Sequence, residues 1–214
     1  MLEFNPQIKT IVFDLGNVII DLDIERTWAS LQHHLGDDFF EKIKRIYPNG
    51  DVFIDFEIGI ISEKTFFETL RAASEHPLSI RTLMEAWNAM LLTINPERFK
   101  MLARLKEKYN VFLLSNTNET HVNFVDGYLR TVYGFSIQDF ETRYFHRSYY
   151  SHVINLRKPN VNIYDFVIQD AGINACETLF IDDNSENIDG VIKAGWHGYL
   201  HTIGEEIVDV MKVY

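Results

Sequence analysis

Short apolar runs alternate with longer helical patterns along most of this 214-residue sequence. Strands of a parallel sheet that is covered by helices on both faces read as such continuous apolar runs. The alternation therefore predicts an α/β fold, a doubly wound parallel sheet whose strands are joined by crossover helices. The candidate strands are Thr10–Leu15, Val111–Asn116, Tyr144–Tyr149, Thr178–Asp183 and Gly198–Ile203.

One long segment interrupts this alternation. Between Asp21 and Ile94 there is no convincing strand, only four amphipathic helical patterns. We interpret residues 21–94 as a four-helix cap that is inserted between the first strand and the rest of a Rossmann-like sheet. Residues 1–20 and 95–214 would then form the α/β catalytic core.

Several helix starts carry capping signals. Ser62 and Ser79 each precede a helical pattern and can accept a hydrogen bond from its first turn. Asn95 followed by Pro96 marks the next start, because proline fits the first position of a helix. These signals predict helices that begin directly after residues 62, 79 and 95.

The composition restricts the possible partners. A formal net charge of −11 repels nucleic-acid phosphates and anionic lipids, so we expect neither nucleic acid nor a membrane as partner. No stretch approaches the roughly 20 apolar residues of a membrane span, and the first ten residues do not resemble a secretory signal. Cys176 is the only cysteine, which excludes an internal disulfide. We expect a cytoplasmic protein, and both a monomer and a homodimer remain open.

Polar residues occur where the predicted strands end. Because the carboxyl ends of parallel strands meet at one edge of the sheet, where ligands bind in open α/β folds, these side chains are expected to converge. A lysine in the loop before a later helix can join them. The set consists of Asp14, Ser115, Asn116, Lys158, Asp182 and Asp183.

The chemistry of these groups is coherent. Two carboxylates from different strands can hold Mg²⁺ through oxygen ligands. A carboxylate can also attack a phosphoryl group and form an aspartyl-phosphate, which splits one difficult displacement into two steps. The Ser115 hydroxyl, the Asn116 amide and the Lys158 ammonium can donate to the phosphoryl oxygens. The residues favour a Mg²⁺-dependent phosphatase that acts on a small phosphorylated metabolite.

Four segments carry this pattern in a fixed order. They are FDLGNVIID at Phe13–Asp21, LLSNTN at Leu113–Asn118, RKPN at Arg157–Asn160 and FIDDNSENIDG at Phe180–Gly190. Together they resemble the four motifs of the haloacid dehalogenase-like hydrolases, and the helical insertion lies where that family places its cap. The sequence is similar in particular to the phosphatase branch that includes bacterial glucose-1-phosphate phosphatases and the phosphatase domain of soluble epoxide hydrolases.

The resemblance implies a role for each motif position. Asp14 would be the nucleophile and would bind Mg²⁺ together with the Gly16 carbonyl and Asp183. The other positions would serve the phosphoryl group or support the site. They are Ser115 and Asn116 as phosphate ligands, Lys158 as a catalytic bridge between nucleophile and phosphoryl group, and Asp182 and Asn187 as supporting residues.

One position departs from the family pattern. Most phosphatases of this family carry a second aspartate two residues after the nucleophile, as general acid and base, whereas this chain has Gly16. A lost general acid costs about 10²–10⁴ in rate. Water or another side chain can substitute, the substrate can have a good leaving group, or the activity can be residual. Our hypothesis is an active enzyme for a sugar 1-phosphate or a similarly activated small phosphate, because an anomeric phosphate leaves with little acid assistance.

Two alternative functions stay open. A dehalogenase shares the fold and the nucleophile, but it acts without metal and has no use for the acidic pair of Asp182 and Asp183. A catalytically weak protein that binds a metabolite in the cleft is also compatible with Gly16. Substrate contacts in either case could come from the insertion or from the loop after the second strand. The candidates are Arg45, Glu57, Trp87, Asn88, Asn118 and His121, of which we expect His121 at the surface.

Overall fold

The structure, a computed structural model, describes residues 2–214; Met1, the first residue of the predicted core, lies outside them. Five strands in this range form one parallel sheet with the order β3-β2-β1-β4-β5. The α/β fold with a doubly wound parallel sheet is therefore confirmed. The strands are β1 (Thr10–Phe13), β2 (Asn110–Ser115), β3 (Arg147–Tyr150), β4 (Thr178–Asp182) and β5 (His197–Leu200).

The register of the sheet aligns the carboxyl ends of its three central strands. Phe13 in β1 pairs with Leu113 on one side and with Ile181 on the other. The last residues of β1, β2 and β4 therefore lie within two residues of one another along the strand direction. Residues that directly follow these strands are placed at one edge of the sheet, as the sequence pattern predicted.

Alternate residues of β1 face two different helical layers. Ile11 and Phe13 belong to a buried cluster that also contains Leu102. Val12 belongs to a second cluster, on the other face, that contains Val191. Both faces are thus covered, which explains why the strands lack the apolar–polar alternation of half-exposed sheets.

Helices connect the strands and fill the segment between β1 and β2. No helix within residues 2–214 combines the length and apolar character needed to cross a bilayer. The helices are α1 (Ile24–Leu35), α2 (Phe39–Ile46), α3 (Val52–Glu57), α4 (Glu63–Ala72), α5 (Ile80–Asn88), α6 (Pro96–Lys106), α7 (Glu119–Tyr133), α8 (Ile137–Tyr144), α9 (Ser151–Ile154), α10 (Val161–Ala171), α11 (Ser185–Lys193) and α12 (Ile207–Val210).

Helices α1–α5, which we call the helical insertion, pack around their own hydrophobic cluster. Leu31, Phe66 and Leu83 are fully buried in it. The prediction of four helices was wrong by one, because α3 lies between the second and third predicted helices. Its six residues are too few to show a helical period, although Asp51 caps it by accepting from the N–H groups of Phe53 and Ile54.

The two chain segments that enter and leave the helical insertion run side by side. The N–H of Asp21 donates to the carbonyl of Thr93 at 2.9 Å, and Leu22 forms an isolated bridge with Leu91. The insertion therefore begins and ends at one place, next to the carboxyl end of β1.

The predicted helix starts are confirmed, whereas one strand was misplaced. Ser62 accepts from the N–H of Thr65, and Asn95 accepts from Glu97 beside the first-position proline. The third strand begins at Arg147 rather than at the predicted Tyr144, which is the last residue of α8. A capping box at the start of α8 fixes that helix, so the aromatic run is divided between helix and strand.

The fifth strand also ends early. It stops at Leu200 instead of the predicted residue 203, because β4, the strand with which it pairs, ends at Asp182 and offers no further pairing partner. The error moves no residue of the predicted site.

Candidate active site

Three carboxylates meet at the edge of the sheet. Asp14 follows β1, Asp182 ends β4 and Asp183 follows it. One oxygen of each lies within 4.8 Å of the others. The register of the parallel strands produces this convergence, because β1 and β4 are neighbours with aligned carboxyl ends.

Lys158 lies between two of these carboxylates. Its side chain is 1% exposed, and its Nζ is 2.9 Å from Asp14 Oδ1 and 2.6 Å from Asp182 Oδ2. Burial by itself would lower the pKa of Lys158, but the two carboxylates outweigh it and hold the pKa above its usual value. The ammonium is therefore a fixed positive charge in contact with the predicted nucleophile.

Asn116 holds the backbone of Lys158 in place. Its Nδ2 donates to the Lys158 carbonyl and its Oδ1 accepts from the Lys158 N–H, both at 3.0 Å. The sequence suggested that this amide faces a phosphoryl group, but the structure engages it with the lysine backbone instead. The neighbouring Ser115 is buried and belongs to the lining of the adjacent cavity.

Asp182 is fully buried, and its carboxylate accepts hydrogen bonds from neighbouring residues. Its Oδ2 accepts from Lys158, and Asn187 Nδ2 lies 3.0–3.1 Å from its two oxygens. Its Oδ1 also accepts from the N–H of Asn184 at 2.8 Å. Hydrogen-bond donors therefore surround the Asp182 carboxylate, and Asn187 is one of them.

Asn17 orients Asp183, and sequence reasoning did not identify it. Its Nδ2 donates to Asp183 Oδ2 at 2.8 Å, and its Oδ1 accepts from the N–H of Leu22 at 3.0 Å. Asn17 has a φ of 51°, a left-handed conformation that asparagine tolerates better than most residues. That preference, in a short loop after an aspartate, was the available signal.

The site carries more negative than positive charge. Burial raises the pKa of Asp14 from 3.8 to about 7; Lys158 opposes the rise and Asp182 adds to it. Three carboxylates and one ammonium give the site a formal net charge of −2. Hard oxygen donors with this charge fit a divalent cation, and Asp14 and Asp183 are the carboxylates that could bind it, since Asp182 is engaged elsewhere.

A cavity of about 350 Å³ lies between this edge and the helical insertion. Gly16, Ser115 and Asn116 form part of its floor. A Cβ at Gly16 would meet Leu22 Cδ1 at 2.6 Å, so the Leu22 side chain occupies the space that a larger residue at position 16 would enter. An aspartate there would require Leu22 to move, which agrees with the absence of the general acid.

The expectation that His121 lies at the surface was wrong. Its side chain is buried and stacks on Trp87, with ring centroids 5.1 Å apart. Its Nε2 lies 3.2 Å from the Trp87 carbonyl and its Nδ1 lies 3.2 Å from Asn118 Nδ2. With Nε2 donating and Nδ1 accepting, the neutral imidazole satisfies both contacts. Helix α5 places Trp87 over the start of α7, a tertiary contact that local sequence does not reveal.

The lining of the cavity also shows which of the candidate substrate-contact residues face it. Glu57, Trp87, Asn118 and His121 line it, whereas Arg45 and Asn88 are absent from its lining. Arg157, the first residue of the RKPN segment, lines it as well.

His121 predicts a pH dependence of stability. Burial lowers its pKa from 6.5 to about 4, so between these values the unfolded chain binds the proton more readily than the folded protein. The stabilisation is therefore complete above pH 6.5 and is lost as the pH falls towards 4, by roughly 3 kcal/mol. Urea unfolding of the wild type and of His121→Gln from pH 7.5 to 4 measures this, and the variant should lack that part of the decline.

The exposed His33 provides the control for this experiment, because His33→Gln should keep the wild-type profile. Parallel profiles of wild type and His121→Gln would contradict the prediction.

Known proteins resemble this chain over most of its length. The haloacid dehalogenase-like hydrolase family matches residues 8–195. A D-ribitol-5-phosphate phosphatase of Bacteroides thetaiotaomicron is 29% identical over 181 residues, which cover 85% of this chain and 85% of the relative.

Solved structures agree with this similarity. A HAD family enzyme from Bacteroides thetaiotaomicron, in complex with magnesium and inorganic phosphate, is 32% identical with a TM-score of 0.81, covering 95% of this chain and 98% of that one. A 2-haloacid dehalogenase from Pseudomonas syringae pv. Tomato is 18% identical with a TM-score of 0.60, covering 89% and 85%, and shares the fold. The match over residues 8–195 and the structural similarity place this chain in the haloacid dehalogenase-like hydrolase family.

Proposed function

We propose that this protein is a Mg²⁺-dependent phosphatase that hydrolyses a small polyhydroxylated phosphate monoester through an aspartyl-phosphate. The observation that carries the proposal is the buried Lys158, held between Asp14 and Asp182 beside Asp183. A buried ammonium and a group of carboxylates suit a dianionic phosphoryl group, and residues next to them in the sequence, Leu15, Gly16 and Arg157, line the cavity. The phosphatase activity of the 29% identical relative supports the same reaction class.

The residues suggest the following division of roles. Asp14 would attack the phosphorus atom, so that a bond forms to its carboxylate oxygen while the bond to the leaving alkoxide breaks. Water would then hydrolyse the aspartyl-phosphate, releasing inorganic phosphate and restoring Asp14. Lys158 and the Ser115 hydroxyl would donate to the phosphoryl oxygens, and Asn116 would contribute by fixing Lys158.

Mg²⁺ fits the donor set at this site. The ligands would be Asp14, Asp183 and the Gly16 carbonyl, and Asn17 would keep Asp183 in position through its 2.8 Å hydrogen bond. When bound, the ion would neutralise charge on the phosphoryl oxygens and on the ligating carboxylates. The formal net charge of −2 at the site and the raised pKa of Asp14 support this assignment. The magnesium in the structure of the 32% identical relative agrees with it.

We assign the helical insertion the role of a cap. Residues 21–94 would cover a core made of residues 1–20 and 95–214, and the cap would exclude water from the cavity. The insertion supplies Trp28, Phe53 and Trp87 to the lining of the cavity that Ser115 also lines, which supports this role.

Gly16 bears on the class of substrate. Without an acid at this position, a sugar 1-phosphate is favoured, because its leaving group needs little protonation. The relative, by contrast, is named for a phosphorylated sugar alcohol, whose alkoxide is a poor leaving group. Both kinds of substrate are small phosphate esters with several hydroxyl groups. They differ in the leaving group, which is an anomeric oxygen in a sugar 1-phosphate and an ordinary alkoxide in a sugar alcohol phosphate.

The test is a phosphate-release screen with Mg²⁺ and with EDTA. The panel would include glucose 1-phosphate, ribitol 5-phosphate and p-nitrophenyl phosphate. We expect release from at least one polyhydroxylated ester, lost on chelation and restored by added Mg²⁺. Release that EDTA does not affect would contradict the metal assignment. Binding of these esters without turnover would favour a metabolite-binding protein, and halide release from 2-haloacids would favour a dehalogenase.

A further inference from the structure

An ion pair joins the helical insertion to the segment that carries Lys158. Arg157 Nε donates to Glu57 Oε1 at 2.8 Å, and both side chains line the cavity. Arg157 directly precedes Lys158, and Glu57 is the last residue of α3. The pair therefore lies beside the predicted site of phosphoryl transfer. Glu57 was named above only as a candidate substrate contact, and Arg157 has been given no role.

Polar contacts fix the backbone on both sides of this pair. The Ser151 hydroxyl lies 2.6 Å from the Glu57 carbonyl, and Asn155 Nδ2 donates to the Ile58 carbonyl at 2.8 Å. The end of α3 is thus attached to the segment that follows β3. Groups held in this way are pre-organised, so less ordering entropy is lost when they bind a ligand.

The pair keeps unused hydrogen-bonding atoms. The hydrogen bonds found within residues 2–214 engage only Nε of Arg157 and Oε1 of Glu57. Both Nη groups of the guanidinium and Oε2 of the carboxylate are free to bind a ligand. The side chains are 30% and 27% exposed, respectively, so they are partly desolvated but reachable from the cavity.

One wall of the cavity is apolar and aromatic. Trp28, Phe53 and Trp87 contact one another, with ring centroids 5.5–6.2 Å apart. Two of these residues carry an indole N–H, and within residues 2–214 only that of Trp87 has a hydrogen-bond partner. It is directed at Asn118 Oδ1 at 3.4 Å. This wall offers surface to the C–H groups of a ligand but little hydrogen bonding.

We infer that Glu57 and Arg157 form a specificity site that reads vicinal hydroxyl groups on the leaving group of the substrate. A carboxylate oxygen accepts from one hydroxyl while a guanidinium N–H donates to its neighbour, so the adjacent acceptor and donor match a diol. The aromatic wall packs on the carbon chain of the same ligand. This inference rests on the proposed function and assigns the recognition of its polyhydroxylated leaving group to these two residues.

The charge of the pair argues against anionic groups at this position. The guanidinium is already paired with Glu57, so a second phosphate or a carboxylate there would meet a carboxylate at close range. Neutral hydroxyl groups use the free donors and the free acceptor without that repulsion. The pair therefore excludes bisphosphates as it selects polyol monophosphates.

The experiment compares two esters with the same carbon chain. Ribitol 5-phosphate has four hydroxyl groups beyond its phosphate, and pentyl phosphate has none. Wild type should prefer ribitol 5-phosphate in kcat/KM, and Glu57→Gln or Arg157→Met should reduce that preference about 10- to 100-fold. The loss should lie mainly in KM, because these contacts are made in the bound substrate and in the transition state alike.

The control variant is Glu85→Gln, which breaks the exposed pair of Glu85 and Arg81 on α5 and should leave the preference unchanged. Calorimetric binding of both esters to Asp14→Asn gives a readout that needs no turnover. A preference for ribitol 5-phosphate in binding that Glu57→Gln removes supports the inference even if no ester is hydrolysed, an outcome that would defeat only the proposed function. Equal preference in the wild type and the Glu57 and Arg157 variants overturns the inference even if Mg²⁺-dependent hydrolysis is found.

Discussion

Asp14→Asn is expected to lower the rate of phosphate release by at least about 10⁴-fold, because a carboxamide cannot attack phosphorus and no other carboxylate can replace it. Of the two other carboxylates at the site, Asp182 is fully buried and bonded to Lys158, Asn184 and Asn187, and Asp183 is held by Asn17. The measurement is steady-state release with saturating Mg²⁺ on the best ester of the screen.

A low rate of phosphate release supports the role of Asp14 only if the Asp14→Asn variant is folded. Asparagine has nearly the volume of aspartate, and it removes a buried carboxyl whose pKa is raised to about 7. Urea unfolding at pH 8 should therefore show a variant at least as stable as the wild type. Asp189→Asn, on the exposed side of α11, should keep full activity. Residual activity of Asp14→Asn above about one part in a hundred would show that another group is the nucleophile.

The sheet could be predicted because its signal is local. The sequence segments that form β1, β2 and β4 are apolar on both faces of the sheet. The apolar character of each residue therefore indicates directly that its position is buried. Helix α3 could not, since six residues do not span two helical turns. The aromatic run before β3 was ambiguous as well, because a tyrosine such as Tyr144 fits both a strand and the end of a helix.

The members of the site could be predicted from topology, but their partners could not. Parallel strands place Asp14, Asp182 and Asp183 at one edge whatever the loops do. Which atom each side chain contacts depends on loop geometry that has no sequence period. Asn116 was therefore assigned to phosphate although its amide bonds the backbone of Lys158. His121 was assigned to solvent because its burial depends on a helix more than 30 residues away.

Lys158→Met should abolish measurable turnover and lower the free energy of unfolding by about 3–5 kcal/mol, as expected when one partner of a buried charge cluster is removed. The side chain is 1% exposed and contacts Asp14 and Asp182, so its loss leaves buried carboxylates without a counter-ion. Unfolding is measured in urea with EDTA present, so that no divalent cation compensates. Lys193→Met, which removes an exposed lysine from α11, should change neither property.

The stability deficit of Lys158→Met should also depend on pH. In the wild type, burial raises the pKa of Asp14 to about 7 and Lys158 opposes that rise, so without Lys158 the pKa rises further. A carboxyl whose folded pKa exceeds its unfolded value of 3.8 binds its proton more tightly in the folded state, which stabilises the fold at low pH and loses that stabilisation as the pH rises through the folded pKa. The loss continues to higher pH in the variant than in the wild type. The deficit should therefore be largest near pH 9 and smaller near pH 5, and a deficit that is equal at both would mean that the Asp14 carboxyl does not depend on Lys158 for its charge.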